Sequence, residues 1–182
     1  PEDQHQLMHF FRNVNNALPF EGNKTEVYTD GLSMLQSLMK AISKAKHHIH
    51  LEFYIFEDDP VGRLLRDLLI DKAREGVEIR LLYDDVGCWK VPHLFYDEMR
   101  GAGIEARGFL KVRFPVFTSK VNYRNHRKIV VIDGKVAFTG GMSIALRYMK
   151  GFQWGIWRDT HIKIEGKAVY GLQTAFLTDW YV

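Results

Sequence analysis

The sequence has little cysteine or proline and no long hydrophobic run. Its 182 residues include one cysteine, Cys88, and five prolines. A single cysteine excludes an internal disulfide and is typical of proteins that fold in a reducing compartment. No stretch approaches the roughly 18 to 20 apolar residues of a membrane-spanning helix, and none resembles a signal peptide. These absences exclude a disulfide-stapled scaffold, and we expect this stretch of chain to be soluble by itself.

Acidic residues are missing from one long segment, although the net charge of the chain is only +3. Between Ala106 and Ile132 there is no Asp or Glu, and the cations there are Arg107, Lys111, Arg113, Lys120, Arg124, Arg127 and Lys128. Such a segment favours an anionic partner, and phospholipid headgroups and nucleic-acid phosphates both qualify. Within it, the stretch from Phe109 to Phe117 mixes cations with large apolar side chains. That mixture fits either a surface resting on an anionic membrane or an ordinary packed loop.

The apolar and aromatic contents, 46% and 13%, are those of an ordered globular domain. Strand-like alternation and helix-like spacing succeed one another along the chain. The predicted strands span 25–29, 48–56, 77–83, 128–132, 135–139 and 160–165, with a short one from 104; the predicted helices span 4–17, 61–75, 92–100 and 167–181, with one more after Asp30. This order predicts an α/β sandwich with a mixed β-sheet flanked by helices. We expect a leading helix or linker, 1–24, and one domain, 25–182.

The most informative residues are His126 and Lys128, which lie two apart at the start of an Ile-Val-Val-Ile run. Alternate side chains of a strand point the same way, so the imidazole and the ammonium should be neighbours. This pair suits a phosphoryl centre, because one group can attack phosphorus while the other stabilises its oxygens. A short motif can also arise by chance. His161 and Lys163 form a second such pair, and no aspartate follows it at the spacing of Asp133.

Asp133-Gly134 lies between two apolar runs and predicts a two-residue hairpin turn. With this aspartate and the later Gly140-Gly141-Met142-Ser143, the chain reads H-x-K-x4-D-x6-G-(S/G)-x-(N/S). This pattern resembles the HKD signature of the phospholipase D superfamily. The strings 139–144, 157–161 and 48–59 and the late Asp179-Trp180 are similar to the bacterial cardiolipin synthase branch, specifically its N-terminal catalytic half. The resemblance extends from about Val27 to the end of the chain and implies a phospholipase D-like fold.

The resemblance also implies roles for single residues. His126 would be the nucleophile that forms a phosphohistidine, and Lys128 would bind the phosphate oxygens, without a metal or other cofactor. Asp133 completes the catalytic motif, although the hairpin alone explains an aspartate there and favours a structural role. Gly141 and Ser143 would contact the substrate phosphate. At these two positions the superfamily often has serine and asparagine, respectively.

Three further residues are candidates for supporting parts of the site. The superfamily places an acid that orients the histidine where this chain has Asp159. His50 and Glu52 share a strand face, and they would either line the polar cleft or belong to the wet face of the sheet. The histidines around His50 lack the spacing of a zinc site, so we predict no metal site.

The resemblance implies an enzyme that transfers a phosphatidyl group between two phosphatidylglycerol molecules, releasing glycerol. Phosphatidylglycerol or another anionic phospholipid would be the substrate, and a second HKD half, in the same parent chain or a homodimer mate, would complete the site. The parent protein would lie in the bacterial cell membrane with this domain on the cytoplasmic side. The alternatives are a metal-independent phosphodiesterase or nuclease, which would bind nucleic acid, and a non-catalytic domain that binds anionic lipid.

Overall fold

A computed structural model describes residues 2–15, 19–109, 124–151, 155 and 157–182. It contains the helices α1 (Glu2–Asn15), α2 (Gly31–Ser43), α3 (Pro60–Arg74), α4 (His93–Gly101), α5 (Leu146–Lys150) and α6 (Val169–Trp180), and the strands β1 (Lys24–Tyr28), β2 (His48–Phe53), β3 (Glu78–Asp84), β4 (Glu105–Phe109), β5 (Ile129–Ile132), β6 (Val136–Gly140) and β7 (His161–Glu165). The predicted α/β fold with a mixed sheet between helices is confirmed.

The seven strands form one sheet in the order β1-β7-β6-β5-β2-β3-β4. Strands β2, β3 and β4 are parallel, and the other neighbouring pairs are antiparallel. The carboxyl ends of β2, β3, β4 and β6 therefore lie at the same edge of the sheet as the amino ends of β5 and β7. His126 precedes β5, so we name this edge the His126 edge.

The sheet buries apolar side chains on both faces. One face packs against α2, α3, α4 and α5 and forms the larger core, while α6 covers the other face with Phe176 and Trp180. Helix α2 begins where the Asp30 carboxylate accepts the Ser33 N–H at 2.8 Å, and α3 begins after Asp59, which accepts the N–H groups of Val61 and Gly62. These caps satisfy N–H groups that have no partner within the helix.

The element boundaries differ from the predicted ones mainly near the His126 edge. Strand β2 ends at Phe53 rather than at residue 56, and β5 begins at Ile129, after the H-x-K pair. The short helix α5 was not predicted. Of the predicted membrane-resting stretch, only Phe109 lies within the described residues. In the described part of the chain, no helix is both long and apolar enough to cross a bilayer.

Candidate active site

His126 and Lys128 lie side by side at the His126 edge, as their spacing predicts. The Lys128 ammonium is 2.9 Å from Nδ1 of His126 and donates a 2.6 Å hydrogen bond to the His126 carbonyl oxygen. The imidazole is exposed, whereas only 3% of the Lys128 surface is exposed. A buried cation beside an exposed imidazole can receive an anion without extensive rearrangement.

The ring of Tyr54, just beyond β2, packs against both His126 and Lys128. Its centroid lies 4.5 Å from that of His126 and 5.5 Å from the Lys128 ammonium. The ring face attracts the cation and limits the orientations open to the imidazole. Sequence reasoning assigned Tyr54 no role, although it follows Glu52 by two residues on the same predicted strand.

The His126–Lys128 contact keeps the imidazole neutral. Burial and then the positive charge of Lys128 lower the pKa of His126, while the Asp84 carboxylate opposes this effect. Burial also lowers the pKa of Lys128, against the opposing charge of Asp159. Because an ammonium can only donate a hydrogen bond, Nδ1 of the neutral ring must be the acceptor. The ring proton is therefore assigned to Nε2.

Asp84, at the end of β3, holds the backbone that carries His126. Its buried carboxylate accepts N–H groups from Val86, Gly87 and Asn125 at 3.0, 2.7 and 3.2 Å. One carboxylate thus joins the β3 end to the residue before His126. A carboxylate directly after a buried strand was the available sequence signal, and sequence reasoning missed it.

His50 and Glu52 were predicted as possible cleft or wet-face residues, and the structure corrects this. Both side chains are buried beneath α6, because α6 covers the face of β2 on which they lie. His50 stacks on Phe176 with ring centroids 4.7 Å apart and contacts Gln173 at 2.8 Å. Glu52 accepts a hydrogen bond from the Asn125 side chain. Glu52 is therefore linked to the site by its hydrogen bond with Asn125, the residue before His126, and does not itself line a cleft.

Gly141 lies against Asp159, on the side of the site formed by β6 and β7. A Cβ at Gly141 would come within 1.9 Å of an Asp159 carboxylate oxygen, so this position has no room for a side chain. The Asp159 carboxylate accepts the Thr160 N–H at 2.7 Å and the Trp157 indole N–H at 3.5 Å. These hydrogen bonds do not reach His126, whose Nδ1 faces Lys128. The orienting role of Asp159 stays a prediction.

Two other polar side chains on this side are buried. Ser143 has no exposed surface. His161, from the second H-x-K pair, is buried at the start of β7 next to Gly140, and its Nδ1 has no hydrogen-bond partner among the described residues. Burial, with the Lys128 charge and against that of Asp159, lowers the pKa of His161 to about 4, so this ring is neutral.

Asp133 lies at the far end of β5, away from His126. It occupies the turn with a φ of 53°, and its carboxylate accepts N–H groups from Lys46, His47 and His48 at 2.9, 2.8 and 3.1 Å. Burial acts to raise the pKa of Asp133, but these hydrogen bonds outweigh it and the pKa is lowered. This environment supports the structural interpretation of Asp133. In the described residues, no group of three or more potential metal ligands is present.

Comparisons with known proteins agree with this geometry. Residues 38–179 match a family model described as cardiolipin synthase, phospholipase D-like domain. The chain is 48% identical over 167 residues to a cardiolipin synthase of Alkalihalophilus pseudofirmus, covering 91% of this chain and 33% of that protein. It is 42% identical over 179 residues to the major cardiolipin synthase of Bacillus subtilis, covering 98% and 37%. The chain thus spans about a third of the length of these curated relatives.

Solved structures show the same fold at low sequence identity. A phosphatidylserine synthase from Haemophilus influenzae superposes with a TM-score of 0.70 and 19% identity, covering 95% of this chain and 41% of that chain. A phospholipase D family member from Salmonella typhimurium superposes with a TM-score of 0.65 and 17% identity, covering 88% and 95%. Together with the match over 38–179, these findings show that the chain belongs to the cardiolipin synthase family of phospholipase D-like domains.

Proposed function

We propose that this chain is one catalytic half of a phosphatidyl transferase that makes cardiolipin from phosphatidylglycerol, with His126 as its nucleophile. The observation that supports this most directly is the exposed His126 imidazole, with the buried Lys128 ammonium 2.9 Å from its Nδ1. The names of the curated relatives favour a phospholipid as the substrate. The parent protein would then work at the bacterial cell membrane, where its substrate lies.

The reaction would have two displacements at phosphorus. In the first, Nε2 of His126 forms a bond to phosphorus, the bond from phosphorus to the glycerol oxygen breaks, and glycerol leaves after taking up a proton. In the second, a hydroxyl of another phosphatidylglycerol gives its proton to the group that protonated glycerol and attacks phosphorus. The phosphorus–nitrogen bond breaks, and its electron pair returns to Nε2. The products are cardiolipin and a free histidine.

Lys128 would set the order of events. Without substrate, the Lys128 ammonium donates to Nδ1 of His126. The ring proton is then on Nε2, so Nε2 cannot attack phosphorus. An arriving phosphate would attract the ammonium to its own oxygens and release Nδ1. A carboxylate at Nδ1, which we assign to Asp159, would then hold the other tautomer and free Nε2. Gly141 would keep room for this carboxylate, and the contact of Gly141 and Ser143 with the substrate phosphate stays a prediction.

The first displacement needs an acid to protonate glycerol. We assign this acid to the histidine of a second HKD half, either in the parent chain or in a homodimer mate. The short coverage of the relatives supports the first source, because about two thirds of their length lies outside the matched part.

The test uses the parent-length protein on phosphatidylglycerol liposomes in excess chelator. We expect cardiolipin and glycerol, and a phosphatidyl adduct on His126 in quenched samples analysed by mass spectrometry. His126→Ala should abolish adduct and product, whereas the control His93→Ala, at the start of α4, should retain both. An adduct on His161 or loss of activity with chelator would contradict the scheme. Metal-independent cleavage of DNA without lipid turnover would favour the nuclease alternative.

A further inference from the structure

Two buried carboxyl groups from distant parts of the chain meet just behind His126. Glu52 comes from β2 and Asp179 from the last turn of α6, and 2% and 8% of their surfaces are exposed. The Asn125 side-chain amide joins them by donating to Glu52 and, at 3.1 Å, to Asp179. Two buried carboxyl groups that accept from the same amide cannot both ionise at low cost.

The residues held by these carboxyl groups flank His126 on both sides. Asn125 precedes it, and Arg127, which follows it, donates from its guanidinium to Asp179. The Asn125 side-chain oxygen also accepts the Arg127 backbone N–H at 3.0 Å. The backbone on both sides of His126 is therefore fixed by buried groups, while the imidazole itself is exposed to solvent.

The pair carries one proton at neutral pH. Burial first, and then the neighbouring Asp179 carboxylate, raises the pKa of Glu52 to about 8. Burial acts to raise the pKa of Asp179 too, but the hydrogen bonds it receives, first from Arg127, lower it instead. Glu52 is therefore the neutral partner and Asp179 the charged one.

The other charged and titratable groups near the pair do not change this assignment. Among the described residues they include His50 of β2, Asp84 of β3, whose carboxylate accepts the Asn125 backbone N–H, and Arg127. The guanidinium groups of Arg80 and Arg107 lie 5.6 and 4.2 Å from the centroid of the Trp180 ring. Burial lowers the pKa of His50 to about 4, so His50 is neutral through the range in which Glu52 titrates. The arginines stay charged throughout that range.

We propose that Glu52 and Asp179 are positioning residues that, by holding Asn125 and Arg127, fix His126 in the orientation in which it meets the phosphate. This inference rests on the proposed function only for its effect on catalysis. When Glu52 loses its proton, two carboxylates compete for the Asn125 amide and repel each other. The Asn125–Arg127 backbone then shifts, and His126 shifts with it.

The first test needs no substrate. In the 182-residue chain, the ring signals of His126 are followed by NMR from pH 5 to 10. We expect a second step in these signals near pH 8, where Glu52 ionises. Glu52→Gln keeps a neutral side chain of the same shape that can accept from Asn125 but cannot ionise, so it should abolish that step. The control Glu165→Gln, at the opposite edge of the sheet, should leave it in place. Absence of the step from the wild-type chain, or its persistence in Glu52→Gln, would overturn the inference.

The second test measures turnover by the parent-length protein. Glu52→Gln should keep kcat within about twofold at pH 7 and remove an alkaline decline of kcat. Glu52→Ala should lower kcat ten- to hundredfold with little change in KM, because a displacement of ~1 Å can cost about 10²-fold. Equal kcat values for Glu52→Ala and wild type would overturn a positioning role. If the wild-type parent transfers no phosphatidyl group, the proposed function fails, and the NMR titration still decides the inference.

Discussion

At the scale of single residues, the site works by setting which groups carry protons. Lys128 is buried next to His126, and the partial burial of the ring, together with the Lys128 charge, disfavours a second proton on the ring. The pKa of His126 lies below 6.5, its ordinary value, so the ring stays neutral at cellular pH. A neutral ring has a lone pair to offer, which a nucleophile requires. The pKa of His126 is lower in the folded chain than in the unfolded chain. The free energy of unfolding therefore has its full value, as far as this ring is concerned, above pH 6.5, and it decreases as the pH falls through the lowered pKa.

This arrangement makes a prediction about Lys128. Replacing it with methionine, Lys128→Met, should raise the pKa of His126, because the neighbouring positive charge is removed while much of the burial remains. An NMR titration of the histidine ring signals measures the change. Lys135→Met removes an exposed lysine at the opposite edge of the sheet and should leave the pKa of His126 unchanged. An unaltered or lower pKa in Lys128→Met would show that Lys128 does not control the ring.

At the scale of elements, strand register brings together residues that no local pattern connects. The H-x-K spacing and the Asp133-Gly134 turn are local, so the sequence predicted His126, Lys128 and the hairpin. Tyr54 and Asp84 lie near His126 because β2 lies between β5 and β3 in the sheet. Asp179 lies near it because α6 packs on one face of the sheet. Such contacts follow from tertiary packing and not from spacing, so the sequence did not reveal them.

The β5–β6 hairpin shows how one carboxylate can fix an element. Asp133 and Gly134 have φ values of 53° and 64°, and the Lys135 N–H closes the turn onto the Ile132 carbonyl at 3.0 Å. The Asp133 carboxylate then ties this turn to the three residues that lead into β2. The hairpin is thus attached to its neighbouring strand at the edge opposite His126.

We therefore expect Asp133→Ala to destabilise the fold by about 1 to 2 kcal/mol, because it removes the shared acceptor of three N–H groups, of which that of His48 is partly buried. Urea unfolding of the 182-residue chain measures this loss. The control Asp71→Ala removes an exposed carboxylate on α3 and should change the unfolding free energy by less than ~0.5 kcal/mol. If Asp133→Ala unfolds like the wild type but the parent enzyme loses activity, then Asp133 acts in catalysis and the structural interpretation is wrong.

At the scale of the whole molecule, the described residues supply one part of the proposed site. The described residues provide one complete HKD motif, since the second H-x-K pair has a buried histidine and no following aspartate. Expelling an alkoxide without a positioned acid is slow, and general-acid help is typically worth ~10²–10⁴ in rate. This chain and a second HKD half would therefore form one complete active site together.

The isolated 182-residue chain should accordingly be nearly inactive as a monomer in a phosphatidyl-transfer assay. Activity should return with the C-terminal half of a parent enzyme, or in a two-fold dimer that brings two His126 side chains across one cleft. Sedimentation run beside the assay relates activity to oligomeric state. Full activity in a strictly monomeric preparation would refute the requirement for two motifs.

The position of Asp179 in the chain also affects how the protein is made. The backbone around His126 is anchored by a residue that the ribosome adds about fifty residues later, at the last turn of α6. At synthesis rates of ~5–20 residues per second, the histidine segment would wait roughly three to ten seconds for that anchor. A nascent chain that has completed its sheet would still lack the Asp179 anchor. The backbone around His126 is thus fully held only when the helix that covers the sheet has docked.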